Sequence, residues 1–411
     1  MPTPPRDRPP LKRRLGLPSA IAIGLASMLG AGVFAVWGPA TRAAGSGPGL
    51  LGALAIAAFI AYCNARSSAR LAALYPRSGG AYVYGTERLH PAAGFAAGWA
   101  FLAGKTASGA AMALTLGAYL LPEHPRALAA AAVVAFCAVN LLGVHRTALA
   151  SAVFAGITLA VLAAVVVAGL TGPVAARPLG DTHPWGVLTA AGFVFFAFAG
   201  YARVATLGEE VARPERTIPR AVALSLGITV LVYAAVAVTA LSVLGAGTLA
   251  ESTAPLADLA GAGAPAIKPL VAVGAGIAVA GVLLSLLAGI GRTALAMARD
   301  RRLPGPLAAV SERFGVPWAA EVAASAAVLV MVSTLDLTAA IGFSGFCVLV
   351  YYAVANGAAA TLDARAPLPW LGLAGCVLVA ASLPVPSVLG GLAVLAAGAA
   401  WFWVTERGGR S

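Results

Sequence analysis

The chain has 411 residues, of which 60% are hydrophobic and only 10% charged, and its formal net charge is +12. Soluble domains carry roughly 25% charged residues, so this composition excludes a soluble globular protein and points to an integral membrane protein. The positive charge does not imply a nucleic-acid partner, because the arginines sit in short loops between apolar runs and form no basic stripe interleaved with exposed aromatics.

A Pro- and Arg-rich tail, Met1–Leu15, opens the chain, and the apolar run behind it is too long for the core of a cleaved secretory peptide. A helix needs about 20 apolar residues to cross the hydrocarbon core. Twelve candidate segments follow, at 18–40, 48–65, 91–120, 126–142, 147–170, 185–211, 218–245, 266–298, 317–333, 337–361, 368–383 and 387–404. No hydrophilic stretch is long enough for a separate soluble domain. With the N-terminus inside, 20 of the 27 Lys and Arg residues fall in cytoplasmic segments, four (Arg42, Arg126, Arg177, Lys268) in outer loops and three (Lys105, Arg203, Arg292) within spans. This bias predicts a multi-pass protein of the cytoplasmic membrane with both termini cytoplasmic.

Two segments are interrupted by glycine. The first, Leu17 to Phe34, contains Gly30-Ala31-Gly32. The second runs Phe195-Phe196-Ala197-Phe198-Ala199-Gly200-Tyr201 and continues into Arg203 and the Glu209-Glu210 pair. Inside a bilayer a helix break is tolerated only where it lines a cavity or is buried in protein. Paired breaks in a polytopic protein point to a small-molecule site near the midplane. They fall in spans 1 and 6, so spans 1–5 (about 18–170) and 6–10 (about 185–361) would start from opposite sides, as in an inverted repeat. The expected transport core is then 16–365, with spans 11 and 12 and a cytoplasmic tail in 366–411. At Gly30-Ala31-Gly32 the following half-helix would present free N–H groups and a positive dipole end to a carboxylate. The carbonyls around Phe198, Ala199 and Gly200 would accept from an ammonium group, and Phe195, Phe196 and Phe198 would wall the pocket. The competing reading of Gly-Ala-Gly is a helix-packing surface, in a chain with 48 glycines.

Ionisable residues inside spans are functional candidates by default. Lys105 is one of three lysines against 24 arginines. Lysine, unlike arginine, can give up its proton, which suits a proton-coupling site; the alternative is a structural lysine bonded to carbonyls of an unwound helix. Arg203 and Glu210, seven residues apart, share a helix face, either as an internal ion pair at an inner gate or with Arg203 meeting an anionic substrate group. The cysteines (Cys63, Cys137, Cys347, Cys376) lie in apolar segments without metal-like spacing and read as small buried hydrophobes. Gly342-Phe-Ser-Gly345 matches the pattern of an intramembrane serine protease, but the four histidines lie in loops or at span ends and none follows His183, which leaves no base on a neighbouring helix.

Ile23-Gly-Leu-Ala-Ser-Met-Leu-Gly-Ala-Gly-Val-Phe34 resembles the first helix of amino acid–polyamine–organocation (APC) superfamily permeases. Residues 195–220 are similar to their sixth helix and following loop, and Ala205-Thr-Leu-Gly-Glu-Glu210 looks most like the cationic amino acid transporter branch. Tyr75-Pro-Arg-Ser-Gly-Gly-Ala-Tyr82 matches the loop before helix 3, and Ala298-Arg-Asp-Arg-Arg-Leu-Pro304 the loop after helix 8. The resemblance implies an all-α, LeuT-like fold of five-plus-five helices with two extra, discontinuous at helices 1 and 6. It also implies amino acid transport by alternating access. On matching positions Gly30, Ala31 and Gly32 would hold the substrate carboxylate, and Phe196 to Gly200 would face its amino group and side chain.

Some proton-coupled members place a lysine in helix 5 beside the first break; here Thr158 stands at that position, so either Lys105 substitutes for it from helix 3 or transport is not proton-driven in that way. A sodium site using oxygens of Ser285 is the alternative, although serines in membrane helices often bond their own backbone. The expected function is a proton-coupled amino acid permease. Exchange, uniport, transport of polyamines and non-transporting amino acid sensing are the competing readings. Two cations near the pocket, Lys105 and Arg203, would disfavour lysine- or arginine-like substrates unless neutralised, which argues against reading the branch resemblance as cationic specificity. The expected partners are the amino acid and the lipid bilayer, and nothing in the sequence implies a catalytic residue, a cofactor, a resident metal or an obligate protein partner.

Overall fold

The computed structural model describes residues 16–75, 79–143, 148–172, 174–175, 181–200 and 211–408, and their regular elements are helices. In chain order these are α1 (Leu17–Met28), α2 (Ala31–Ala35), α3 (Trp37–Ala44), α4 (Gly47–Leu74), α5 (Ala81–Arg88), α6 (Pro91–Leu120), α7 (Pro125–Leu141) and α8 (Ala148–Leu170). The second set is α9 (Pro184–Phe198), α10 (Pro214–Glu251), α11 (Pro255–Gly263), α12 (Lys268–Arg299), α13 (Trp318–Thr334), α14 (Leu337–Ala360), α15 (Pro367–Ser382) and α16 (Val385–Gly408). Seven helical segments among the described residues are long and apolar enough to cross a membrane by length and composition, and four shorter apolar helices (α7, α9, α13, α15) accompany them.

The helix starts follow from local chemistry. Proline stands in the first two positions of many of them, including α6, α7, α9, α10 and α15, where its missing N–H and fixed φ cost nothing. Ser46 accepts from the Gly49 N–H at 3.1 Å, and Asp336 from the Ala339 N–H at 2.7 Å, each satisfying an orphan donor. The segment expected at 218–245 starts earlier, at Pro214; Gly245, at φ 72 and ψ 165, leaves helical geometry at the expected end, and a further helical stretch continues across that kink to Glu251. The short helices α5 and α11 were not anticipated, since neither is long enough to carry a span-like signal.

Helix α6 is the hub of the bundle and packs on α14, α12, α5, α7, α13 and α16. Its small residues allow this: a Cβ on Gly104 would lie 2.8 Å from the Cβ of Cys347 on α14. Lipid tails are as apolar as leucine, so helices associate through such close contacts and through buried hydrogen bonds. Ser108 of α6 and Ser344 of α14 meet at 2.7 Å, and Asn356 of α14 donates to Asn64 of α4 at 2.5 Å. Asn140 of α7 donates to Glu321 of α13 at 2.7 Å and to the Leu284 carbonyl of α12 at 3.2 Å.

Gly372 lets α15 lie on this polar layer, since a Cβ there would be 2.6 Å from Asn356 Oδ1. Gly372→Ala is therefore expected to push α15 off the Asn64–Asn356 pair and to destabilise by about 1–3 kcal/mol, the usual range for overpacking. A lower midpoint of thermal unfolding in detergent, relative to the parent, checks it.

Candidate functional site

The chain leaves helical geometry at the end of α1. Leu29 (φ −79, ψ 37) still donates to the Leu25 carbonyl, Gly30 is extended (φ −88, ψ −151), and helix resumes at Ala31. Val36 is itself in the right-handed helical region, so α2 runs on into α3. The first N–H groups after such a restart have no intrahelical acceptor. Helix α9 stops at Phe198, and the Ala199 N–H donates to the Phe196 carbonyl at 3.3 Å.

These two places touch. A Cβ on Gly200 would fall on the carbonyl of Ser27, and one on Gly32 would lie 2.5 Å from Ala197 Cα. Glycine is thus required at both by backbone-to-backbone approach. Gly30 faces α12, where a Cβ would meet the Val282 methyls at 3.1 and 3.2 Å. Gly30, Gly32, Ala197, Phe198, Ala199 and Gly200 are brought together, with Phe195 and Phe196 on the preceding turn of α9.

Tyrosines hold the irregular backbone. Tyr233 of α10, fully buried, places its hydroxyl 2.6 Å from the Met28 carbonyl and 3.0 Å from the Ala197 carbonyl, so its one proton serves both segments. Its ring lies 4.9 Å from that of Phe198 and edge-on to Trp37 at 5.9 Å. Tyr119 of α6 donates to the Phe34 carbonyl at 2.8 Å, and Tyr352 of α14 reaches towards the Ala199 carbonyl at 3.4 Å. None of the three tyrosines was singled out in the sequence. The available signal was a hydroxyl-bearing ring inside an otherwise apolar run, as in Leu231-Val-Tyr-Ala-Ala.

The remaining candidates are more dispersed. Phe195 and Phe198 are fully enclosed and Phe196 is 7% exposed, Phe195 standing edge-on to Tyr352 at 5.9 Å. Lys105 lies at the middle of α6, half-buried, its Nζ 5.7 Å from the centre of the Phe101 ring, with no hydrogen bond or ion pair among the described residues. Phe101 packs on Tyr351 at 5.1 Å, and Tyr351 on Tyr352 at 5.1 Å, so ring contacts run from Lys105 to the end of α9. Thr158 is buried and donates to its own Phe154 carbonyl at 2.9 Å. Ser285 is exposed, bonds the Gly281 carbonyl at 3.3 Å and lies one turn from Val282. Arg203, Glu210 and the side chain of Ala31 lie outside the described residues. No group of three or more His, Cys, Asp or Glu residues suited to a metal occurs among the described residues.

Removing the Tyr233 hydroxyl leaves two buried carbonyls without their donor, which costs about 1–3 kcal/mol for an unsatisfied group. Tyr233→Phe is expected to lower thermal stability by that order and to expose the amides near Gly30 and Ala199 to faster hydrogen exchange. Unchanged exchange at both segments would contradict the tether.

A family model described as amino acid permease matches residues 15–408. An uncharacterized transporter of Mycobacterium tuberculosis is 54% identical over 98% of this chain and 94% of its own length. The branched-chain amino acid permease BcaP of Bacillus subtilis is 28% identical over 75% of this chain and 72% of its own. Cationic amino acid transporter 4 of Homo sapiens is 27% identical over 83% of this chain and 58% of its own length.

Proposed function

The chain belongs to the amino acid permease family of the APC superfamily, and from that premise we propose a secondary active, proton-coupled amino acid transporter of the cytoplasmic membrane, working by alternating access. It is a multi-pass membrane protein by family and by its long apolar helices. The proposed architecture is twelve spans in a five-plus-five inverted repeat over 16–365, followed by two more helices, with both termini cytoplasmic.

The observation that carries the reading is the contact of the two irregular segments, Gly30–Gly32 against Ala197–Gly200, in the middle of the bundle. An α-amino acid carries a carboxylate and an ammonium on one carbon, and these segments offer the complementary groups. The N–H groups at the restart after Gly30 suit the carboxylate. Of the last carbonyls of α9, those of Phe196 and Ala197 are engaged by the Ala199 N–H and by Tyr233. Those of Phe195 and Phe198 remain, among the described residues, as acceptors for the ammonium. The side chains nearest the contact are apolar, which favours a neutral, apolar amino acid; the branched-chain specificity in the name of the Bacillus subtilis relative agrees with this.

Alternating access needs a route on one side. Along α12 the helix packs on α8 at Gly274, where a Cβ would fall on Val161, yet further along Ser285 and Arg292 are exposed. We place the inward route along this exposed part of α12, ending near Val282, which faces Gly30. Lys105, with no partner charge among the described residues, is proposed as the proton-coupling amine, and Arg203 and Glu210 as the inner gate.

Proteoliposome uptake of an amino acid panel under imposed pH or sodium gradients tests this. Neutral branched-chain amino acids are expected to accumulate when the outside is acidic, and Lys105→Ala to take up substrate without response to the gradient. Uptake indifferent to pH in the parent, or proton dependence kept by Lys105→Ala, would overturn the coupling. If no amino acid accumulates or exchanges, transport itself fails.

A further inference from the structure

A cavity of about 550 Å³ opens where the last turns of α4, the first turns of α10 and the segment after α14 converge. Arg66 and Arg70 of α4, Glu215 and Pro219 of α10, Leu74 and Leu362 line it. Both arginines are exposed, and among the described residues neither guanidinium has a hydrogen-bonded or ion-paired partner. The cavity lies on the outside of the bundle, away from the contact between Gly32 and Ala197.

Its depth relative to a bilayer follows from the helix. At 1.5 Å per residue α4 is about 42 Å long, against a hydrocarbon core of about 30 Å. With 48–65 spanning that core, Arg66 stands at its edge, and Arg70 about 6 Å further out, one turn on, in the headgroup layer. Tyr62 and Phe59, 42% and 49% exposed, precede Arg66 by four and seven residues and so share its face. That face reads, from midplane outward, aromatic, aromatic, cation, cation. On the neighbouring α10, Glu215 and Pro219, one turn apart, face the two arginines across the cavity.

We propose that this cavity binds the headgroup of a monoanionic glycerol-type phospholipid, its phosphodiester between Arg66 and Arg70 and an acyl chain along Tyr62 and Phe59. Guanidinium groups match phosphate oxygens in a fork geometry. Two arginines and one carboxylate give these charged lining groups a balance of +1, which one negative charge neutralises. Glu215 accepts from hydroxyls of the headgroup and repels a second negative charge, disfavouring a dianionic phosphate monoester. The site needs no substrate at the helix breaks. It rests only on the assignment of 48–65 as a span, with its Arg66 end towards the leaflet whose acidic lipids attract basic residues.

Native mass spectrometry of the purified full chain, exchanged into detergent with added lipid, provides the test. Phosphatidylglycerol is expected to stay bound, while phosphatidylcholine, phosphatidylethanolamine and free glycerol phosphate do not. Arg66→Gln with Arg70→Gln is expected to weaken retention about tenfold through loss of two charge-assisted contacts. Glu215→Gln, which keeps the arginines, is expected to let dianionic phosphatidic acid bind as well as phosphatidylglycerol. Equal retention of phosphatidylcholine, displacement by free glycerol phosphate, or unchanged discrimination in Glu215→Gln would overturn the proposal. If the arginine double variant does not fold, the Glu215→Gln comparison decides alone. Lipid retention is read without transport, so absent amino acid uptake would leave it standing.

Discussion

A backbone that leaves helical geometry within a bilayer exposes polar groups that water cannot reach, and every such group must find a partner in the protein. The arrangement around Gly30 and Ala199 follows from this constraint. One hydroxyl, that of Tyr233, lies within hydrogen-bond reach of a carbonyl on each irregular segment. Tyr119 holds the Phe34 carbonyl from α6, and Tyr352 approaches Ala199 from α14. The donors come from three helices far apart in sequence, so the breaks are stable only once the bundle has assembled around them. The irregular segments are thus a property of the tertiary structure as much as of their glycines.

The second constraint is distance. Hydrogen bonds between these segments and their supports require the backbones of α1, α2 and α9 to approach far more closely than ordinary helix packing, and Gly32 and Gly200 supply the space. The same economy holds through the bundle, where Gly104 and Gly372 bring α6 and α15 onto α14. Buried polar pairs then fix which helices meet: Ser108 with Ser344, Asn64 with Asn356, Asn140 with Glu321. Each joins residues distant in sequence, and in lipid each unmade pair would be a cost against the misassembled state.

Helix positions were legible from hydropathy because long apolar runs are a one-dimensional signal: the segments expected at 91–120 and 337–361 appear as Pro91–Leu120 and Leu337–Ala360. The interruption at Gly30 was legible too, since Gly-Ala-Gly in an apolar run announces backbone freedom. The tethers were not. A tyrosine in a membrane helix can face lipid, a cavity or a distant carbonyl, and only the packing of α10 on α1 decides that Tyr233 meets Met28. The short helix α11 was missed for a related reason, because nine residues carry too little periodicity to separate it from a loop. Outside the spans, arginine and lysine serve the sequence reading only as topology markers. That reading absorbed Arg66 and Arg70 into a charge count and concealed that they share one helix face with Tyr62 and Phe59.

The proposed coupling role of Lys105 has a physical basis in what surrounds it. A cation in the membrane interior is ordinarily paired with a carboxylate or with backbone carbonyls; Lys105 instead stands over the Phe101 ring. A cation–π contact holds the ammonium and not the neutral amine, so loss of the proton also releases the ring. Phe101 is packed on Tyr351, Tyr351 on Tyr352, and the Tyr352 hydroxyl approaches the Ala199 carbonyl where α9 ends. On the proposed reading, these ring contacts are the path by which the protonation of Lys105 would reach the second break. An arginine at this position would keep the contact and lose the switch, which is the physical reason a chain rich in arginine would carry a lysine there.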